Sequence, residues 1–496
     1  MRLVRSQDTT PELLLRKALR AAGLRFRTYA ANLPGKPDIV IHSKRLAIFI
    51  DGDFWHGGQW RRRGLASLED QFRQSESRDY WLRKIRRNMD RDCRVTAALA
   101  ADGWRVVRLW ESEVLSGVER CVEKVLSADR KSPRAFPGKT FAEFFAGIGL
   151  MRCALEKHGW TAAYANDIDP KKLDMYRAHF GAGFDLQDIH DVGPSAVPNV
   201  TLATASFPCN DLSLAGSRSG LAGKQSGALW GLMKLLEGMR SRRPPLVLLE
   251  NVTGFLSSHG GRDFEQALLA LNRLGYAVDA FILDAVHFVP QSRQRLFVVG
   301  RRLGSTESNE LRQSDVRPRS LVEFVRSHPE IRWRIRDLPA QPEPAQRLTQ
   351  ALEKNGDWWA PERAEYLLNQ MSPRHRAVAE RMIAGSRWSY GTVFRRIRNS
   401  RSMAELRTDG IAGCLRTPRG GSGRQILFKA GKGKYFARLL TPLECARLMG
   451  ADEYRISGSL NQALFGFGDA VCVPVIEWIA ENYLNPVINE LIHEIG

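Results

Sequence analysis

The chain has 496 residues, of which 43% are hydrophobic and 26% charged, a balance that excludes a mainly disordered protein. Lys and Arg total 74 against 54 Asp and Glu, a formal net charge of +20. This excess favours a polyanionic partner, with nucleic acid ahead of a membrane surface. No apolar run approaches the ~20 residues that cross a bilayer. The seven cysteines form no CxxC pair, which indicates reduced thiols in a cytosol.

The N-terminal region, residues 1–126, alternates predicted helices and strands. Thr10-Pro11-Glu12 before LLLRKALRAAG is typical of a helix start. The runs DIVI (38–41) and LAIFI (46–50) predict short strands, 78–101 predicts a long polar helix, and WRVVRLW predicts a third strand. This order indicates a small α/β nuclease-like core. Residues 127–139, SADRKSPRAFPGK, predict a linker that separates two independent cores.

Acidic residues and a histidine lie beside the two predicted strands of this region. Asp38 opens the first strand, and Asp51, Asp53 and His56 follow the second. Neighbouring strands would bring them together as a Mg²⁺ site with a general base, and Glu12 on the first helix offers another acid. Asp-Gly-Asp is also ordinary turn chemistry. Spacing alone therefore leaves nuclease chemistry open.

From residue 140 the chain repeats strand–turn–helix units. Short apolar runs separated by helical stretches predict a doubly wound sheet of buried parallel strands: FAEFF (141–145), AAYAN (162–166), TLATAS (201–206), PLVLLE (245–250) and RLFVVG (295–300). The pattern dissolves over 301–437, which is rich in Arg and Trp, and returns over 438–496.

Several polar residues fall at the carboxyl ends of these predicted strands. FAGIG (145–149) would let the backbone approach a nucleotide-like ligand, and Asp167 ends the next strand where an acid commonly holds ribose hydroxyls. Cys209 follows Pro208 in a polar context, which favours an exposed thiol over a buried one. Glu250 would share the same sheet edge, and a thiol beside an acid suggests covalent attack assisted by proton transfer.

In their order, FAGIG, PCNDLS, ENV, QSRQR, RLLTPLECARLMG and GDAVCVPVIEWIA resemble the motifs of DNA cytosine-5 methyltransferases. The resemblance implies a Rossmann-like fold and S-adenosylmethionine as cofactor. It implies Cys209 as nucleophile at cytosine carbon 6, Glu250 holding the ring nitrogen, and Arg293 and Arg295 orienting the base. The cofactor contacts that it implies are Phe145, Gly147, Gly149, Asp167, Ile168, Asp188, Ile189, Pro208 and Ala470. Asp469 departs from the family, which usually has asparagine there.

The resemblance also divides the second region. It implies a catalytic domain over 140–300, a smaller target-recognition region over 301–437, and a segment over 438–496 that completes the methyltransferase. LRTPRGGSGRQ (415–425) suits close approach to phosphates and base edges, so its arginines are predicted DNA contacts: Arg416, Arg419 and Arg424. The alternative is an ordinary solvated basic loop.

The N-terminal motifs LPGKPDIVI, IFIDGDFWHGG, DYWLRKIRRNMDRD and GWRVVRLWESEV resemble very-short-patch repair (Vsr) endonucleases, which nick DNA beside T·G mismatches. This resemblance implies a restriction-endonuclease-like fold, with Asp38 as Mg²⁺ ligand and His56 as general base. Asp51 is a further predicted Mg²⁺ ligand, from its position beside the strands. Glu12 falls on the family's helix carboxylate. Phe54 and Trp55 fall on aromatics that wedge into the base stack, although a packed aromatic core competes with that interpretation.

One departure from the Vsr family is substantial. Well-known members bind a structural zinc, but the corresponding positions here are Asp53, Gly58, Trp60 and Ser112, so no zinc is expected and packing alone must hold the loop.

Together the motifs predict a cytoplasmic, bacterial-type fusion of a Vsr-like endonuclease with a cytosine-5 methyltransferase. It would act on double-stranded DNA, with no membrane partner and with a monomer as one option. Two alternatives remain: a restriction–modification fusion that cuts unmethylated sites, and a methyltransferase whose N-terminal part only binds DNA.

Overall fold

The computed structural model describes residues 7–65, 67–102, 104–130, 138–208, 227–302, 308–344, 346–354, 356–398, 401–417 and 424–495. The first domain is built on a four-stranded sheet of order β1-β2-β3-β4, antiparallel except for the parallel pair β3–β4. Its elements are β1 (Arg27–Thr28), β2 (Ile39–Ile41), β3 (Leu46–Asp51), β4 (Arg105–Trp110), α1 (Thr10–Ala21), α2 (Gln59–Arg62), α3 (Leu68–Gln71), α4 (Arg78–Ala101), α5 (Glu111–Ser116) and α6 (Val118–Arg130).

Sequence pattern accounts for this domain well. Pro11 lies in the first turn of α1, and Gly23, with φ +78°, follows its end. Leu15 and Leu19, one helical turn apart, pack into a fully buried apolar cluster with β2, β3 and β4. The bounds of α4 coincide with the predicted 78–101. The predicted linker, 127–139, begins too early, because α6 continues to Arg130.

The second domain carries a seven-stranded sheet of order β10-β11-β9-β8-β5-β6-β7. Its elements are β5 (Thr140–Phe144), β6 (Thr161–Asp167), β7 (Asp185–Leu186), β8 (Leu202–Ala205), β9 (Leu246–Val252), β10 (Ala277–Asp284), β11 (Gln294–Arg301), α7 (Leu150–Lys157), α8 (Pro170–Phe180), α9 (Ala228–Gly238), α10 (Arg262–Arg273) and α11 (Arg319–Ser327). Alternate strand residues face two separate cores, one on each face of the sheet.

The expectation of a wholly parallel sheet is wrong at one edge. Strand β11 contains the predicted RLFVVG run, but it is antiparallel to both β9 and β10. An apolar run predicts that a strand is buried, but not whether it runs parallel or antiparallel to its neighbours. That direction depends on the length of the segment that joins the strands. Here residues 285–293 join β10 to β11 too briefly for the crossover that parallel neighbours require.

A smaller four-stranded antiparallel sheet, of order β13-β12-β14-β15, follows. Its region comprises α12 (Leu348–Ala351), α13 (Pro361–Asn369), α14 (Pro373–Ala384), β12 (Ser389–Arg398), β13 (Arg401–Arg407), β14 (Ile426–Gly431) and β15 (Lys434–Leu439). It has a core of its own. The predicted start of the recognition region at residue 301 is too early. Leu321, Phe324 and Ile335 lie in a core of the large sheet, so this stretch packs with the catalytic domain.

The C-terminal helices complete the larger core: α15 (Pro442–Leu448), α16 (Leu460–Asp469), α17 (Val473–Ile479), a π-helical turn (Ala480–Leu484) and α18 (Asn485–Ile495). By length and composition, the helical stretch Leu460–Leu491 could cross a membrane, which the sequence pattern had not indicated. Of its most apolar window, 61% is buried inside the protein, as in the core helix of a globular fold.

Candidate active sites

The turn between β5 and α7 has the shape of a ligand-binding loop. Phe145, Gly147 and Gly149 all have positive φ, at 56°, 58° and 81°. A Cβ at Gly149 would lie 2.4 Å from a ring carbon of Phe180, so only glycine fits there. The backbone N–H of Gly147 donates to the carboxylate of Asp167 at 2.8 Å, which fixes the loop against the end of β6.

Beside this loop, the sheet edge exposes residues of the types that hold an adenosine group. Ile168 is 62% exposed next to the buried Asp167, and the half-buried Asp188 follows β7 nearby. An exposed apolar side chain flanked by acids fits the base and ribose of S-adenosylmethionine. The Ile189 side chain is buried in the apolar core, so a cofactor contact at this position, which stays a prediction, would use its backbone.

Helix α8 adds a residue that the motifs did not indicate. Lys172 Nζ lies 3.0 Å from a carboxylate oxygen of Asp469. Thr417 also hydrogen-bonds Asp469, so the departure from asparagine supports an ion pair that joins α8 to the C-terminal segment. Ala470, the next residue, accepts a hydrogen bond through its carbonyl from Arg293 at 2.6 Å.

Glu250 lies near the end of β9, where it pairs with Arg295 of the antiparallel neighbour β11. The Arg295 Nε is 2.8 Å from Glu250 Oε1, and Glu250 is only 6% exposed. Asn251 donates to the carbonyl of Phe207 at 3.1 Å, which ties this strand to the segment that leads through Pro208 to the predicted nucleophile. Cys209 itself lies outside the described residues.

The role predicted for Arg293 is corrected. Its guanidinium is 3% exposed and donates to the carbonyls of Leu415, Gly468 and Ala470, at 2.9, 3.2 and 2.6 Å. These bonds fasten the small-sheet region and the C-terminal segment to β11, so Arg293 organises the site and Arg295 is the arginine beside Glu250. Both arginines also lower the pKa of the Cys414 thiol, against the effect of its burial.

In the first domain, Asp38 accepts a hydrogen bond from the backbone N–H of Ile50 at 2.7 Å. Burial raises the pKa of Asp38 to about 7, and the nearby carboxylates of Glu12 and Asp51 add to the rise. A buried carboxyl group among other acids is a fitting anchor for a divalent cation, because the cation would stabilise its charged form.

His56 lies between two carboxylates. Its Nδ1 is 2.5 Å from Asp92 Oδ2 and 3.5 Å from Asp51 Oδ1. Burial works to lower the pKa of His56, but Asp51 and the hydrogen bond with Asp92 outweigh burial and raise it. The sequence interpretation missed Asp92, which lies on α4, 36 residues beyond His56. The predicted helix over 78–101 could have indicated this partner, because an acid on the buried face of that helix would contact His56.

Asp51, the second predicted Mg²⁺ ligand, is bound by an arginine, and its binding of Mg²⁺ stays a prediction. Arg108 donates to both Asp51 oxygens at 2.7 Å, and it also lies 3.2 Å from Asp92. Ligand atoms of Asp51, His56 and Asp92 all lie within 4.8 Å of one another, yet the buried guanidinium already neutralises this cluster. A metal ion there would meet a positive charge. Asp38 therefore has the more favourable surroundings of the two predicted ligands.

Glu12 is 4% exposed and lies in a polar network at the start of α1. It accepts hydrogen bonds from the hydroxyl of Tyr29 and a guanidinium nitrogen of Arg16, both at 2.6 Å. Its carboxylate is close enough to raise the pKa of Asp38. The structure thus brings together Glu12, Asp38 and His56 with its partner Asp92 at one edge of the sheet.

Comparison with known proteins decides the family. A family model described as C-5 cytosine-specific DNA methylase matches residues 139–485. The chain belongs to this family. The methyltransferase M.HhaI of Haemophilus parahaemolyticus is 28% identical over 352 residues, which cover 70% of this chain and 94% of that relative.

The first domain belongs to a second family. A model for the DNA mismatch endonuclease Vsr matches residues 1–62. The type II nicking enzyme V.XorIIP of Xanthomonas oryzae pv. oryzae is 43% identical over 129 residues, 25% of this chain and 88% of that relative. V.NmeDIP of Neisseria meningitidis serogroup C is 40% identical over 126 residues, 25% of this chain and 80% of that relative. The chain is thus an enzyme that joins a Vsr nuclease domain to a cytosine-5 methyltransferase.

Hydrogen bonds hold the loop of the nuclease domain that contains Asp53 and Gly58, where the sequence lacks the zinc ligands of well-known Vsr members. Asp53, 4% exposed, accepts from both the hydroxyl and the backbone N–H of Ser112, at 2.7 and 3.0 Å. Gly58 fits closely against Trp110, since a Cβ there would lie 2.7 Å from a ring carbon. The expectation that packing alone holds the loop is therefore wrong, because a buried carboxylate–hydroxyl pair adds a polar clamp.

Aromatic side chains of the nuclease domain form one half-buried cluster. Phe54 packs edge-to-face on Trp55 and Trp81, with ring centroids 5.0 and 5.2 Å apart, and Lys84 lies 5.2 Å from the Trp55 ring centroid. The sequence left open whether these aromatics form a packed core or a wedge for DNA. In the structure the rings pack against one another, and part of the Trp55 side chain stays accessible to solvent. Insertion into a base stack stays a prediction.

The predicted DNA-binding arginines of the methyltransferase differ in their surroundings. Arg416 is exposed, whereas Arg424 is half-buried and donates to Asn461 on α16 at 2.8 Å. Arg424 therefore ties the recognition region to a C-terminal helix, and Arg416 remains available to DNA. Arg419 lies outside the described residues.

Proposed function

We propose that this chain methylates carbon 5 of cytosine within a specific DNA sequence, and that its nuclease domain nicks T·G mismatches in a Mg²⁺-dependent reaction. The observation that carries the proposal is the presence of two separate acid-centred sites in one chain. One is the Glu250–Arg295 pair, and the other is the Asp38 site with the His56–Asp92 pair. The product of the first site, methylcytosine, deaminates to thymine opposite guanine, which is the proposed substrate of the second.

In the methyltransferase, the thiolate of Cys209 would add to carbon 6 and so activate carbon 5. Glu250, held by Arg295, would bind the ring nitrogen and exocyclic amine of the flipped cytosine. S-adenosylmethionine supplies the methyl group when it is bound at the Gly147–Asp167 edge. The base must leave the stack to reach this site, at a cost of a few kcal/mol.

In the nuclease domain, Asp38 would anchor Mg²⁺, with Glu12 beside it. The metal, when bound, offsets charge on the scissile phosphate. His56 would take the proton of the attacking water through Nε2, because Nδ1 faces Asp92. Asp92 therefore orients the ring and stabilises it when it becomes charged.

Three duplexes of one sequence test the proposal: matched unmethylated, matched methylated, and T·G-mismatched. We expect methyl transfer from labelled S-adenosylmethionine to the first, and a nick only in the third, with Mg²⁺ and not with EDTA. Asp38→Asn serves as the control that removes nicking and keeps methylation.

Two outcomes would contradict the nuclease assignment in different ways. Double-strand cutting of the unmethylated duplex would indicate restriction. Binding without cutting of any duplex would leave the first domain as a DNA-binding module.

A further inference from the structure

Helix α4 of the nuclease domain is buried on two neighbouring sides. One side faces the nuclease site: Asn88 donates to the carbonyl of Trp55 at 3.0 Å, Met89 packs against Gly57, and Asp92 bonds His56. The positions 86, 90 and 93 are spaced by four and three residues, so they share another side of the helix. That second side meets the methyltransferase.

Three residues on the second side contact the methyltransferase. Cys93, 4% exposed, donates its S–H to Asn489 of α18 at 3.2 Å and belongs to the methyltransferase core cluster. Asp90 pairs with Lys139 at 2.9 Å, and the Lys139 side chain is only 8% exposed. Arg86 lies 3.1 Å from Glu481. Strand β4, which carries Arg108, also contacts α18.

These contacts correct the expectation of two independent cores. The Arg86–Glu481 pair is about half exposed on both sides, and such pairs contribute little. Cys93 matters more, because its buried thiol keeps its partner Asn489 only while the domains are docked. The Lys139 side chain is buried as well, and Asp90 adds an ionic partner to the carbonyl of His158 that Lys139 already meets at 3.4 Å.

We infer that the C-terminal helix of the methyltransferase positions the catalytic histidine of the nuclease. Asp92 directly precedes Cys93, so the docking of Cys93 on α18 fixes the part of α4 that holds His56. This inference rests on the proposed nicking function. Misplacement of a catalytic group by ~1 Å can cost about 100-fold in rate, so a modest shift of the helix matters.

The two nicking enzymes compared above differ from this chain in their length. The aligned residues make up 80% of V.NmeDIP and 88% of V.XorIIP, which leaves no room for a methyltransferase in the same chain. In this chain α18 covers the helix that holds Asp92, and we expect nicking to depend on that docking.

A charge swap across the interface tests the positioning role in the full-length protein. Asp90→Lys places a second ammonium against Lys139, and we expect kcat for nicking a T·G duplex to fall about tenfold with KM nearly unchanged. Adding Lys139→Asp restores an attractive pair and should recover most of kcat. Asp79→Lys is the matched control, since this exposed aspartate on α4 has no ion pair with the methyltransferase among the described residues. It should nick normally.

A second experiment measures docking itself. A protease site inserted between residues 130 and 138 allows the chain to be cut after purification. We expect the two fragments to co-elute in gel filtration, and the Asp90→Lys fragments to separate. Separation of the unaltered fragments, or an unchanged kcat in Asp90→Lys, would overturn the inference. If the intact protein does not nick, the proposed nuclease function is contradicted. The elution experiment measures docking without any activity, so it distinguishes the two failures.

Discussion

Arg108→Met is the sharpest test of how the nuclease site is held together. Arg108 is 2% exposed, binds both oxygens of Asp51 and lies 3.2 Å from Asp92. Methionine keeps much of its volume but leaves the buried carboxylate of Asp51 and the half-buried carboxylate of Asp92 without their common cation. Breaking a buried pair in this way costs about 3–5 kcal/mol, because an uncompensated charge stays behind.

Hydrogen exchange followed by mass spectrometry can localise this loss. Peptides from β3 and β4 should exchange faster by at least about 100-fold, since ~1.4 kcal/mol corresponds to a factor of ten. Peptides from β5 and β8 serve as the internal control. The double variant Arg108→Met/Asp51→Leu removes both charges of the main pair and should recover most of the protection.

The same substitution has a kinetic consequence with a definite sign. Arg108 lowers the pKa of His56, so its loss should raise that pKa further. More of the histidine is then protonated at neutral pH, and the pH profile of nicking should move to higher pH. Unchanged exchange in β3 and β4, together with an unmoved profile, would refute the role given to Arg108.

Four further predictions concern single sites. Cys209→Ser should abolish methyl transfer and keep specific DNA binding in a mobility-shift assay, because a hydroxyl cannot replace the thiolate; near-normal methylation would remove Cys209 from its role. At low Mg²⁺, nicking should fall as pH drops through about 7, where Asp38 takes up a proton, and more Mg²⁺ should move the midpoint lower; a midpoint independent of Mg²⁺ would argue against Asp38 as ligand. Gly58→Ala should lower the thermal stability of the nuclease domain by overpacking on Trp110, at about 1–3 kcal/mol. Exchanging the small-sheet region, residues 348–439, with that of a related methyltransferase should transfer sequence specificity, as read by protection from restriction enzymes, and retention of the original site would contradict the assignment.

Local pattern predicted a large part of this protein. The long helix α4 matches its predicted bounds because its periodicity extends over 24 residues. Asp38 and Glu250 lie at or near strand ends, as the boundary between apolar and polar residues indicated. Helix bounds and strand ends depend on residues that are neighbours in sequence, so they could be predicted from local pattern.

What the sequence left hidden depends on distant partners. The sequence motif around Asp51 did not indicate its ion pair with Arg108, which lies on β4, 57 residues later. Asp92 was one of two acids flanking Arg91, and only docking of the helix shows that it faces His56. The small sheet was missed because the strand SYGTVFRRIR places two consecutive arginines, Arg395 and Arg396, where apolar alternation would be expected.

The clamp between Asp53 and Ser112 changes what a chelator reveals. In a nuclease whose loop is held by zinc, EDTA strips the structural ion along with the catalytic one, and lost activity reports both events together. Here the clamp is made of a carboxylate, a hydroxyl and an amide, none of which EDTA removes. Under the proposed Mg²⁺ dependence, chelation should therefore be fully reversible on adding back Mg²⁺, with no refolding lag, so that a metal titration measures the catalytic ion alone.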